Sequence, residues 1–140
     1  MSGVSDGKVL ALDYGDTRIG VAISDALGFT AQPHPFVPNN ENALVTIKVL
    51  IETHEIKEII IGMPYAQDGS KGKKCEDVDR FIELLADVVT LPITACDERF
   101  STVAASRQLQ SLGYNQKKQR GKIDSAAAAF MLQGYLDRKK

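Results

Sequence analysis

The chain predicts an α/β domain built on a mixed five-stranded sheet, and three observations carry that reading. The apolar run "VLAL" leads into "DYGDT" and then into a second strand pattern, "RIGVAIS", which together mark a hairpin whose first strand is covered on both faces. Further on, "KEIIIG" follows a helix pattern, and a helix between two strands lets them lie parallel. A length of 140 residues, 44% of them hydrophobic and 25% charged, suits one compact domain over residues 1–140 with a single core.

The first strand runs from Val9 to Asp13, and the second follows a Gly-containing turn. "SDALG" breaks the chain again before "FTAQPHPF", where Pro33 and Pro35 suit an edge strand, so the domain opens with a three-stranded antiparallel meander. Asn40 is placed to cap a helix reaching about His54, with Leu44, Ile47 and Ile51 as its apolar stripe beside Ala43 and Leu50. The "EIII" strand ends at Gly62. Val78, Phe81, Ile82, Leu85, Val88 and Val89 then keep helical spacing over roughly Lys73 to Thr90, where Pro92 stops it. "ITAC" is the fifth strand. "DERFSTVAASRQLQSL" reads as a helix ended by Gly113, Asn115 to Lys122 as a polar, mobile loop, and "IDSAAAAFMLQGYL" as a final alanine-rich helix. The element order is βββαβαβαα.

Composition removes several classes of function. A net charge of −1 argues against coating nucleic acid through bulk positive charge, so any such binding must rest on a local patch. Cys75 and Cys96 are too few and too far apart for a disulfide framework or a CxxC metal site, and read as buried, reduced thiols. The N-terminal "MSGVSDGK" has no apolar segment of the signal-peptide kind, and no apolar run approaches the roughly 18 to 20 residues that span a bilayer. The expectation is a soluble cytoplasmic protein without a membrane partner.

Against that background Asp13 needs an account, because an ionised carboxylate at the end of a buried strand requires a partner or open solvent. Chemistry in open α/β sheets gathers at the carboxyl ends of strands. Asp13 ends the first strand, Asp97 and Glu98 end the last, and Asp124 opens the final helix. Three such carboxylates, if they converge, suit a hard cation such as magnesium or manganese. Singly, each has a plainer explanation: Asp13 as a turn former before Gly15, and Asp124 as a carboxylate favoured by the helix dipole.

Four ordered blocks, "LALDYGDTRIGVAISD", "IIIGMPYAQDGSKG", "DERFSTVAA" and "IDSAAAAFMLQGYLD", together resemble the YqgF/RuvX family of Holliday junction resolvases and pre-16S rRNA nucleases. The resemblance spans almost the whole chain and implies an RNase H-like fold. It implies a phosphodiester hydrolase acting in 5′ end processing of pre-16S rRNA, with resolution of four-way DNA junctions as the alternative reading. A non-catalytic nucleic-acid or ribosome-binding module is a third. It carries catalytic and metal-binding roles onto Asp13, Glu98 and Asp124, holding one or two Mg2+ or Mn2+ ions that activate water, so that no nucleophilic side chain is needed. Adjacent strand residues face opposite ways, so only one of Asp97 and Glu98 points into the site if the strand persists, and the family pattern selects Glu98. Cys96 departs from the bulkier residue expected before "DER".

The implied partners are structured RNA or branched DNA, and ribosomal precursor particles. Lys117, Lys118, Arg120 and Lys122 precede Asp124 and form the expected phosphate clamp, although such a run also suits a solvated loop. Arg18 and Arg99 can grip a phosphate in a bidentate fork, and Arg99 can equally orient a carboxylate. The "GMPYAQDGSKG" loop is placed to line the cleft, with Tyr65 available to stack on a base. His34 and His54 lie outside the four blocks and are assigned no role. "LDYGDTRIG" also resembles the phosphate-binding hairpin of actin-like and sugar kinases, but those pair two copies of the fold and only one is present. Oligomeric state stays open, since symmetric junction cutting needs two sites and trimming an RNA end does not.

Overall fold

In the computed structural model the described residues are 7–65, 68–69, 71–97 and 116–139, with side chains described from 125 to 138 in the last segment. The elements are β1 (Lys8–Tyr14), β2 (Arg18–Ser24), β3 (Ala31–Pro38), α1 (Ala43–His54), β4 (Ile56–Met63), α2 (Lys73–Val88), β5 (Ile93–Asp97) and α3 (Gln116–Lys139). The strands form one sheet in the order β3-β2-β1-β4-β5. β1, β2 and β3 pair antiparallel, while β1, β4 and β5 pair parallel, which is the mixed sheet expected from the hairpin and crossover patterns.

Strand alternation divides the apolar residues between two cores. Leu10, Leu12, Ile19, Val21, Ile59, Ile61 and Met63 face α1 and α2, where Ile47, Val78, Phe81 and Leu85 meet them. Val9, Ala11, Ala22, Ile60 and Cys96 face the other way, onto Ala128, Met131, Leu132 and Leu136 of α3. β1 and β4 are therefore covered on both faces, and their runs are continuously apolar for that reason. Cys96 is buried under α3, and burial pushes its thiol above the ordinary value, partly opposed by Arg138. Both cysteines are free thiols, as expected.

The prolines place β3 at the sheet edge and also explain its irregularity. Ile19 pairs with Val37 and Val21 with His34, so Pro35 and Phe36 together stand against Gly20 alone. This is a bulge, and Pro35 has no N–H to leave unpaired there. α1 begins at Ala43 rather than close behind Asn40, because the Asn40 side chain accepts the Asn42 N–H at 2.8 Å and its carbonyl accepts the Ala43 N–H, forming a turn ahead of the helix.

One expectation is overturned. The segment expected as a loop, Asn115 to Lys122, is helical from Gln116, so Asp124 lies inside α3 rather than at its opening. Gln, Lys and Arg are strong helix formers, and a helix polar all round shows no apolar period by which to recognise it. The helix expected over "DERFSTVAASRQLQSL" lies outside the described residues. Among the described residues, no helix is long and apolar enough to cross a membrane.

Candidate active site

Asp13 sits near the carboxyl end of β1 and is half-buried. It follows Val9 and Ala11 in alternation, which puts it on the α3 face of the sheet. Its neighbours on both sides are glycines. Gly20 stands directly opposite on β2, and on β4 Gly62 follows Ile61, the partner of Leu12. Gly20 lies between Ile19 and Val21, and Gly62 between Ile61 and Met63, all four of which belong to the other core, so both glycines share the face of Asp13. Neither adjacent strand position therefore puts a side chain beside the carboxylate.

The turn after Asp13 is held tightly. A Cβ on Gly15 would come within 2.5 Å of the Arg18 carbonyl oxygen, so the hairpin requires glycine there. Asn39 clamps the same turn, its Nδ2 donating to the Gly15 carbonyl at 2.7 Å and its N–H to the Thr17 carbonyl at 2.9 Å. Tyr14 turns to the opposite face and packs its ring on Phe81, centroids 4.8 Å apart. On that face Tyr14, Gly15 and Asp16 border a cleft of about 120 Å³ with Pro64, Lys74, Asp77 and Val78.

β5 reaches the same edge, where Asp97 pairs with Met63 and Cys96 with Gly62. Cys96 faces α3, so Asp97, one residue on, turns away from the face of Asp13 and is exposed. Glu98 and Arg99 lie outside the described residues. Lys117, Lys118, Arg120, Lys122 and Asp124 all lie on α3, and their side chains are outside the described set. Among the described residues no group of three His, Cys, Asp or Glu could hold a metal. The expected convergence of Glu98 and Asp124 on Asp13 thus depends on side chains outside the described residues.

The chain matches the family described as RuvX, Holliday junction resolvase, over residues 7–138. This chain belongs to the RuvX family. It is 46% identical over 132 residues to a protein of Halothermothrix orenii named "Putative pre-16S rRNA nuclease", covering 93% of this chain and 94% of that protein. A protein of the same name from Ruminiclostridium cellulolyticum is 38% identical over 134 residues, covering 94% of each. Among solved structures, the Fowlpox virus resolvase in complex with Holliday junction DNA superposes with a TM-score of 0.59 at 12% identity, covering 94% of this chain and 98% of that one. Thermus thermophilus RuvC with a Holliday junction substrate gives 0.56 at 12% identity, over 95% and 96%. The shared architecture is RNase H-like.

Within this RuvX chain, Arg18 shares the face of Asp13, on the diagonal position of the ladder that a long side chain can span. Its guanidinium rests over the Phe36 ring, 5.2 Å from the centroid, which limits the directions it can take. Tyr65 is half-buried and packs against the α1/α2 core. The residues that sequence reasoning missed are Gly20 and Gly62. Their signal was present in "RIGVA" and "IIIGM", since a glycine inside a strand pattern marks a close backbone approach.

Proposed function

We propose that this RuvX chain is a metal-dependent nuclease that hydrolyses phosphodiester bonds in the 5′ processing of pre-16S rRNA. The carrying observation is the position of Asp13 at the carboxyl edge of the sheet, flanked by Gly20 and Gly62. The names of the sequence relatives support the RNA substrate.

A carboxylate at this sheet edge is an oxygen donor of the kind that Mg2+ and Mn2+ prefer, and Glu98 and Asp124 are the residues that would complete its set. Asp13, Glu98 and Asp124 would hold one or two such ions, whose chemistry there would be to activate a water and stabilise the leaving oxygen. The remaining work belongs to the chain. Arg18, steadied on Phe36, grips a phosphate on the face of Asp13. Arg99 does the same from beyond β5. Lys117, Lys118, Arg120 and Lys122 line the first turns of α3 and hold the strand beyond the scissile bond. The protein acts in the cytoplasm on ribosomal precursor particles.

Junction resolution is a second reading, favoured by the fold shared with two resolvases solved on four-way DNA. The test is cleavage of a pre-16S rRNA fragment and of a four-way junction, each with Mg2+, with Mn2+ and with chelator. Metal-dependent trimming of the RNA supports the proposal. Paired symmetric nicks in the junction alone replace it with the second reading, and binding without cleavage of either substrate leaves a non-catalytic module.

A further inference from the structure

Ser125 is fully buried in a helix whose neighbouring positions, 126 to 129, are all alanine. If that helix face needed only to pack, alanine would serve at 125 as well, and it is the better helix former. The Ser125 hydroxyl is instead committed to the sheet. It accepts the Val21 N–H at 3.1 Å and donates to the His34 carbonyl oxygen. Val21 and His34 face each other across the β2–β3 ladder, directly after the bulge at Pro35 and Phe36. The hydroxyl thus joins two backbone groups at the point where the ladder is irregular, the bond from Val21 buried and the one to His34 partly so.

Such a contact fixes more than the apolar packing does. Ala128, Met131, Leu132 and Leu136 hold α3 on the sheet through contacts that have no direction, whereas two hydrogen bonds on one atom set both the height and the rotation of the helix. Rotation matters here because one residue of slip turns a helix by about 100°. Asp124 is the adjacent residue, and Val21 is adjacent to Gly20, the partner of Asp13. We infer that Ser125 is a positioning residue: its buried hydroxyl, locked between β2 and β3, sets Asp124 against Asp13. The inference rests on the metal-carboxylate reading of the site given above.

Gln133 provides an internal comparison. It ties the same helix to the same part of the sheet, accepting the Ala31 N–H at 3.0 Å and donating to the Phe29 carbonyl at 2.9 Å, but it lies more than two turns from Asp124. The experiment measures Mn2+ binding to the protein alone by electron paramagnetic resonance, together with thermal melting and the kcat and KM of cleavage. The proteins are wild type, Ser125→Ala, Gln133→Ala and Asp124→Asn. Ser125→Ala should weaken Mn2+ binding about 10- to 100-fold, the range for groups that orient metal ligands, and lower kcat with KM nearly unchanged. Gln133→Ala should lower the melting temperature and leave Mn2+ affinity as in wild type. Should Ser125→Ala unfold, Ser125→Cys keeps nearly the same volume with a much weaker hydrogen-bonding group, and the same weakening is expected. Wild-type Mn2+ affinity in a folded Ser125 variant overturns the positioning role. Equal loss of affinity in Gln133→Ala overturns it too, since helix anchoring in general would then be responsible. Wild-type Mn2+ affinity in Asp124→Asn would instead overturn the metal-carboxylate reading on which the inference rests.

Discussion

Asp13 lies directly opposite Gly20 in the β1–β2 ladder, on the sheet face that α3 covers. Side chains at directly opposed positions have Cβ atoms about 4.5 to 5.5 Å apart, so any residue larger than glycine at position 20 would stand in the space before the carboxylate. Gly20→Val should keep the far-ultraviolet circular dichroism of the wild type while cleavage drops more than tenfold, about 1.4 kcal/mol in the barrier, with Gly20→Ala intermediate. Unchanged cleavage in Gly20→Val would show that ligands reach Asp13 from another side.

Asp124→Asn separates charge from shape at the third carboxylate. Since α3 begins at Gln116, position 124 is beyond the first turn. The roughly 0.3 to 1 kcal/mol that a first-turn carboxylate gains from the helix dipole is therefore not at stake. Melting temperature should hold, or rise through relief of repulsion between neighbouring carboxylates, while metal-dependent cleavage falls by orders of magnitude. Retained cleavage removes Asp124 from the site.

Changing Lys117, Lys118 and Arg120 together to alanine should weaken nucleic-acid binding and flatten its salt dependence. Up to three phosphate contacts would go, each worth about 0.7 to 0.9 in the slope of log K against log salt. Because these residues lie on a helix, alanine should not reduce stability. The readout is the binding constant at several salt concentrations beside a melting curve, and an unchanged slope dismisses the clamp.

His34 and His54 meet edge to face, ring centroids 5.1 Å apart. Burial, then the charges of His54 and Lys8, hold the His34 imidazole below its ordinary value of 6.5. The unfolded chain therefore binds the proton first as pH falls through that value, so stability declines from there down to the folded-state pKa and levels off below it. Denaturation midpoints between pH 8 and pH 5 should show this fall, and His54→Gln should make it shallower. Identical profiles for the two proteins would exclude the pair as its source.

Much of the fold was legible because its signals are local. Continuous apolar runs marked β1 and β4, two prolines marked β3 as an edge, and 3.6-residue spacing marked α1 and α2. The start of α3 was not legible, because residues 116 to 122 are polar throughout and helical periodicity has nothing apolar to act on there. At the site, the sequence indicated Asp13 as a charge out of place after a buried strand, element ends added Asp97, Glu98 and Asp124, and motif resemblance selected Glu98 over Asp97. The inward choice between Asp97 and Glu98 could be posed from strand alternation alone, but the contact of Cys96 with α3 was needed to show that Asp97 turns away.

What the sequence by itself determined is therefore the five strands, α1 and α2, the family and the identity of the candidate carboxylates, all carried by short-range patterns of size, polarity and backbone freedom. The tertiary structure alone decided that Gly20 and Gly62 flank Asp13, that Arg18 rests on Phe36, and that Ser125 closes the irregular ladder between Val21 and His34. Ser125 and Val21 are 104 residues apart in the chain. No local propensity encodes such a pairing. It follows from strand register and the seating of a helix on a sheet, which are set only when the whole chain packs.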